Sequence, residues 1–261
     1  MNVLFPWGAD MLKRPLMIFP WVVLCLSLVT NYYLFQKAIV YYKALNALRL
    51  DPLESEKGGG GQDVESRVGK RPLIVFFGDS RIARWRPEPD VAGCTFINKG
   101  LSGQTTAQLK LRLKKDVLSC SPDIVVLQAG VNDLKTIGLF PENSKRILSE
   151  CKANLYEMIQ TLKADGIAVV VMTIFPTGEP GFVRSLIWPQ EIDAAIQETN
   201  RFLLKITDKR ISVIDADSVL SKDRFIHPEF EKDMLHLTDR AYARLNELLR
   251  PYLVELSNNL R

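Results

Sequence analysis

Few side chains in this protein can do nucleophilic or acid–base work, and they stand at particular places. An apolar run ends in Gly78-Asp79-Ser80 ("FFGDSR"), which delivers a serine where a hydrophobic stretch stops. The chain has 261 residues and only two histidines, His227 and His236. His236 follows Asp233 at a three-residue spacing in "DMLHLTD". A serine becomes a nucleophile when an imidazole takes its proton, a carboxylate fixes that imidazole's tautomer, and N–H donors meet the oxyanion. Ser80, Asp233 and His236 supply those parts in chain order. If Asp233 to His236 forms a helical turn, the i, i+3 spacing lays the carboxylate beside the ring. His227 has no acid at a comparable offset before it.

These residues need elements to bring them together. From Pro72 onward the apolar runs "PLIVFF", "CTFIN", "DIVVLQA", "IAVVVMTIF" and "ISVID" read as buried strands. Helical periodicity separates them at Ile147, Leu148, Cys151, Leu155, Met158, Ile159 and Leu162. It returns at Ile192, Ile196, Thr199, Leu203 and Ile206, and finally at Tyr242, Leu245, Leu249, Tyr252 and Leu256. Asp165-Gly166 predicts a helix stop before the fourth strand. Strands alternating with helices predict a parallel sheet covered on both faces. In such sheets, ligands bind beyond the carboxyl ends of the strands. Three polar, glycine-bearing turns fall there: Gly78-Asp79-Ser80, "NKGLSGQTT" and "QAGVND".

The N-terminal part is of different composition. No charged residue occurs from Pro15 to Gln36, a stretch close to the roughly 20 residues that cross a bilayer as a helix. Lys13 and Arg14 precede it, and Trp21, Tyr32 and Tyr33 suit the interfaces. An uncleaved anchor accounts for the run better than a core helix, because the run has no polar face. It also outweighs a cleaved signal, because small-x-small sites are poor and Leu24 precedes Cys25. The expected order is a tail (1–14), a single transmembrane anchor (15–36), a juxtamembrane helix with a Gly-rich linker (37–71) and a folded domain (72–261). Positive charges nearly balance across the anchor, and the domain is placed on the outer side of the membrane. Residues 1–71 carry a net +3 and the rest only +1, with no basic stripe, which excludes a nucleic-acid binder.

Four blocks in order, Gly78-Asp79-Ser80, Asn98 to Gly103, Gly130 to Asp133 and Asp233 to His236, resemble the SGNH, or GDSL-type, esterase and lipase superfamily. The resemblance covers essentially all of 72–261. It implies a flavodoxin-like three-layer α/β/α sandwich whose five parallel strands run in the order 2-1-3-4-5. It also implies that Ser80 is the nucleophile, His236 the base and Asp233 its orienting acid. The implied oxyanion donors are the N–H of Ser80, the N–H of Gly103 and the side-chain amide of Asn132, with Asp79 and Asp133 in structural roles. The chain departs from the Gly-x-Ser-x-Gly elbow of other α/β-hydrolases, since Ile82 stands where the second glycine would be.

The expected function is an ester hydrolase acting on an acylated glycan or lipid. An O-acyltransferase on an envelope polysaccharide, or a binding module without turnover, remain as alternatives. The loop "TIFPTGEPGFVRSLIWPQE" has no regular period, so Phe182, Arg184 and Trp188 are candidates for a pocket wall or lid, or for a cover over the sheet end. Arg81 and Arg84 read as solvated residues of the first helix. Two histidines and four cysteines show no metal-ligand spacing, and no metal or other cofactor is expected. Cys94 and Cys120 are expected to stay unpaired, with a strand between them.

Overall fold

The computed structural model describes residues 10–50 and 71–260. They fall into two units, each taken by itself. The first is one uninterrupted helix, α1 (Asp10–Leu50). It runs straight through the boundary expected near residue 36, so the stretches expected as anchor and juxtamembrane helix form one helix. Its stretch Phe19–Leu48, 30 residues, is long and apolar enough to cross a membrane by length and composition. The expected Gly-rich linker lies, from 51 to 70, outside the described residues.

The second unit is built on five parallel strands: β1 (Leu73–Gly78), β2 (Thr95–Gly100), β3 (Ile124–Gln128), β4 (Ala168–Met172) and β5 (Ile211–Ile214). Their order is β2-β1-β3-β4-β5, as expected. Strand side chains alternate between faces, and β1 shows the consequence. Leu73, Val75 and Phe77 join one buried cluster, while Ile74 and Phe76 join another. The first cluster is completed by α3 (Thr106–Asp116), α5 (Ser144–Ala164) and α6 (Gln190–Leu203). The second is completed by the short α2 (Ser80–Ala83) and by α7 (Asp239–Asn258). Helices therefore cover both faces, and a central strand needs an unbroken apolar run because neither face meets water.

The predicted helical stripes are buried with small shifts. On α5, Cys151, Leu155, Met158, Ile159 and Leu162 point inward. On α7 the inward residue of the last turns is Leu253, whereas Tyr252 is partly exposed. Ile206 lies past the end of α6. Gly166 ends the turn before β4 with φ +78°, the left-handed geometry expected of a stop after α5. Cys94 and Cys120 are free thiols.

Register sets up the site. Gly78, the last residue of β1, pairs with Gly100 on one side and Gln128 on the other. Three neighbouring strands thus end flush, and the three polar turns leave the same end of the sheet.

Candidate active site

Ser80 opens α2 immediately after β1. Asp79 caps that helix, its Oδ1 accepting the backbone N–H of Arg81 at 2.9 Å. Capping of this kind satisfies a donor the helix cannot, and it fixes the angle at which the serine leaves the strand. Asp79 is fully buried, and burial raises its pKa, opposed chiefly by the charge of Arg81.

His236 reaches this serine from a sequence separation of 156 residues, with Nε2 3.2 Å from Ser80 Oγ. Its other ring nitrogen, Nδ1, lies 2.9 and 2.8 Å from the two oxygens of Asp233. A proton on Nδ1 facing Asp233 leaves Nε2 free to accept from the serine. The Asp233–His236 segment is not the helical turn that the spacing suggested. It is a tight turn in which Asp233 Oδ1 accepts the N–H groups of Leu235 and His236, each at 2.9 Å. A bridge between Glu231 and Leu237 pinches its base. Desolvation pushes the Asp233 carboxyl up, but those two N–H donors and the imidazole outweigh it and hold the pKa at about 2. His227 is elsewhere, beside Glu229 and against the Phe230 ring.

The second turn carries Gly103 at φ +82°, a conformation side chains other than glycine rarely adopt. No acceptor among the described residues takes the backbone N–H of Ser80 or of Gly103. After β3, Gly130 at φ +124° starts α4 (Val131–Leu134). It presents Asn132, whose Nδ2 donates to Gln104 O at 3.0 Å. Lys135 Nζ donates to Asn132 Oδ1 at 2.6 Å. The lysine fixes which end of the amide is which, so Nδ2 is the end that donates to Gln104 O. Burial lowers the pKa of Lys135, with the charge of Asp79 opposing.

Asp133 turns away from the rim and clasps the start of α3. Thr106 donates to it from its hydroxyl at 2.6 Å and from its backbone N–H at 2.9 Å. Desolvation nevertheless raises the Asp133 pKa to about 6. A carboxyl whose folded pKa exceeds its unfolded one is protonated first in the native state. Its stabilising contribution is therefore full below about pH 4 and lost as pH rises through about 6. Thermal denaturation should show stability falling across that window by on the order of 3 kcal/mol, and Asp133→Asn should flatten that slope.

Two buried arginines hold the turns together, and sequence reasoning missed both. Arg81, read as solvated, is fully buried. Its guanidinium donates to Phe175 O, Pro176 O and Leu235 O at 2.7–2.9 Å, joining the serine helix to the β4 loop and to the histidine turn. Arg112 of α3 donates to Gln104 Oε1, Gly78 O and Lys99 O, which ties the second turn to the ends of β1 and β2. A signal existed for Arg112, which lies beside Leu113 on the face that also carries Leu109. None existed for Arg81 in so short a helix.

The expected rim residues divide. Phe182 and Arg184 are exposed in a short helical turn after β4. Trp188 is only 5% exposed and belongs to the core beneath, with Arg184 5.9 Å from its ring.

A parallel five-stranded α/β/α sandwich with a Ser–His–Asp arrangement beyond its strand ends defines a class of serine-hydrolase-like proteins. The profile of the GDSL-like Lipase/Acylhydrolase family matches residues 76–244, well over half of the chain, and the protein belongs to that family. Among curated proteins it is 33% identical to an acetylxylan esterase of Geobacillus stearothermophilus, over 42% of this chain and 62% of the esterase. It is 29% identical to the uncharacterized lipoprotein YqeF of Bacillus subtilis, over 39% of this chain and 41% of that one. The chain thus covers less than two thirds of either relative. A GDSL-like lipase from Bacteroides thetaiotaomicron shares the fold at 23% identity and TM-score 0.54, over 70% of this chain and 88% of its own. A candidate platelet activating factor from Streptococcus pneumonia does so at 21% identity and TM-score 0.66, over 83% and 99%.

Proposed function

We propose that the protein is a membrane-anchored serine ester hydrolase working through an acyl-Ser80 intermediate. The observation that carries this reading is the continuous contact from Ser80 Oγ to His236 Nε2 at 3.2 Å and from His236 Nδ1 to Asp233 at 2.8 Å. In the first half-reaction His236 takes the Ser80 proton while Oγ bonds to the ester carbonyl carbon. The carbonyl oxygen becomes an oxyanion that accepts from the Ser80 and Gly103 N–H groups and from Asn132 Nδ2. When the intermediate collapses, the alkoxy bond breaks and His236 returns its proton to the departing alcohol. In the second half-reaction His236 deprotonates the water that attacks the acyl-serine, and returns that proton to Ser80 Oγ as the acyl–oxygen bond breaks and the acid leaves. Asp233 holds the ring throughout and remains ionised.

Family membership and the acetylxylan esterase relative support ester cleavage as the reaction class. The apolar Phe19–Leu48 stretch, none of it buried in the protein, supports a single membrane anchor, and the lipoprotein relative agrees with a membrane-held domain. We place the domain on the outer side.

The test is hydrolysis of p-nitrophenyl acetate and longer acyl esters by the detergent-solubilised full chain, with mass spectrometry of the Ser80 peptide. Turnover with an acyl adduct on Ser80 is expected. A folded chain inactive on every ester would favour a binding module instead. Asn132→Ala should lower kcat by about 10²–10³ with KM little changed, the cost of one missing oxyanion donor. A loss in KM alone would remove that role.

A further inference from the structure

The catalytic domain carries an apolar fringe that its core does not need. Of the 12 large apolar side chains most exposed between 71 and 260, six fall in two short stretches, 139–140 and 182–187. Phe182 is 86% exposed, Val183 78% and Leu186 74%, with Ile187, Leu139 and Phe140 at about half. Phe182 and Leu186, four residues apart, project from one side of a helical turn.

The two stretches are one surface. A Cβ placed on Gly138 would lie 2.1 Å from Ile187 O, so the two backbones touch. The surface also adjoins the reaction site. Its stretches leave the ends of β3 and β4, and Lys135, three residues before Gly138, holds the Asn132 amide. Arg184, exposed between Val183 and Leu186, lies within the fringe, so a cation sits among the apolar side chains.

Exposed apolar clusters of this density on a soluble surface mark contact sites. Lipid is favoured as the occupant by three features. Apolar side chains around a cation match an interface of hydrocarbon and anionic headgroups. The same chain carries an apolar helix with none of that window buried in the protein. Only residues 51–70 separate the described units, a reach of at most about 70 Å, so a bilayer around α1 would always be within range.

We propose that this fringe docks on the surface of the lipid bilayer, turning the Ser80 edge toward it, so that the ester delivered to the serine is one borne by the membrane. The substrate half of this inference rests on the hydrolase reading above; the docking half does not. The acyl or acetyl group is cleaved where it emerges from the bilayer surface, and Arg184 meets anionic headgroups around it.

The experiment uses the full chain in phosphatidylcholine–phosphatidylglycerol vesicles. An environment-sensitive fluorophore is placed at Val183→Cys or at Leu204→Cys, the latter at the opposite end of the sheet, and labelling of the native cysteines is subtracted with the wild type. Acyl-brominated lipids should quench the probe at 183 at least twofold more than the probe at 204. Equal quenching overturns docking, as does a probe shielded from aqueous iodide yet untouched by brominated lipid, which would mean that protein covers the fringe. In parallel, Leu139→Ser combined with Val183→Ser should cut hydrolysis of vesicle-embedded p-nitrophenyl palmitate at least tenfold and leave p-nitrophenyl acetate within twofold. Equal loss on both esters overturns the membrane-substrate reading. Preferential quenching at 183 in a wild type that hydrolyses neither ester would keep docking and remove the hydrolase.

Discussion

Alanine in place of His236 should lower kcat/KM for p-nitrophenyl acetate by about 10⁴-fold or more, whereas alanine at His227 should leave it within about twofold. The two histidines differ in what they touch. His236 has the serine on one nitrogen and a carboxylate on the other. The His227 ring meets Glu229 and Phe230 instead. Asp233→Asn should cost about 10⁴-fold as well, because an amide leaves the ring free to take the other tautomer, with Nε2 protonated and unable to accept from Ser80. The pH behaviour follows the same contacts. Asp233, held at about 2, is depressed below the ordinary carboxylate value. What it contributes is thus present above that value and lost as pH falls through about 2. Its side chain is 52% exposed, so solvent screens that contribution and little global stability rides on it. Asp233 therefore sets no acid limb of activity above about pH 3. Equal losses at both histidines would undo the assignment of the base.

Much of this was legible in the sequence, for reasons visible in the packing. β1, β3 and β4 are buried on both faces, so each reads as an uninterrupted apolar run between polar turns. The four blocks stand at strand ends because the register brings those ends flush at Gly78, Gly100 and Gln128. What stayed hidden depended on partners distant in sequence. An i, i+3 pair of Asp and His fits a helical turn as well as the turn observed, and the bridge from Glu231 to Leu237 decides between them. Trp188, in a stretch without periodicity, could equally line a rim or fill a core; its ring fills the core while Phe182 stays outside. The apolar fringe was readable as composition but not as a surface, since it joins segments some forty residues apart. Arg81 shows the limit most clearly, because a charge beside Ser80 at a strand end reads as solvated until three carbonyls from distant loops close around it.

Arg81→Met should destabilise the domain by about 3–5 kcal/mol, a large part of an ordinary domain's stability. The substitution keeps volume and removes every donor, so Phe175 O, Pro176 O and Leu235 O are left buried without partners, each an appreciable cost. It also removes the cation that most offsets the buried Asp79 carboxylate. Arg81→Lys separates charge from geometry. A lysine restores the cation but offers a point charge where the guanidinium fork spans two loops. The variant should therefore recover stability relative to Met while the histidine turn, bonded through Leu235 O, loses its tether to the serine helix. A displacement of about 1 Å between Ser80 and His236 would lower kcat by about 10²-fold. Tyr242 gives an internal control: its hydroxyl donates to Arg81 O at 2.8 Å, to the backbone rather than the guanidinium. Tyr242→Phe should lower the melting temperature with little change in kcat measured well below the melt. If Arg81→Lys instead matched the wild type in kcat while losing stability, Arg81 would be a core cation and the histidine turn would hold its position without it.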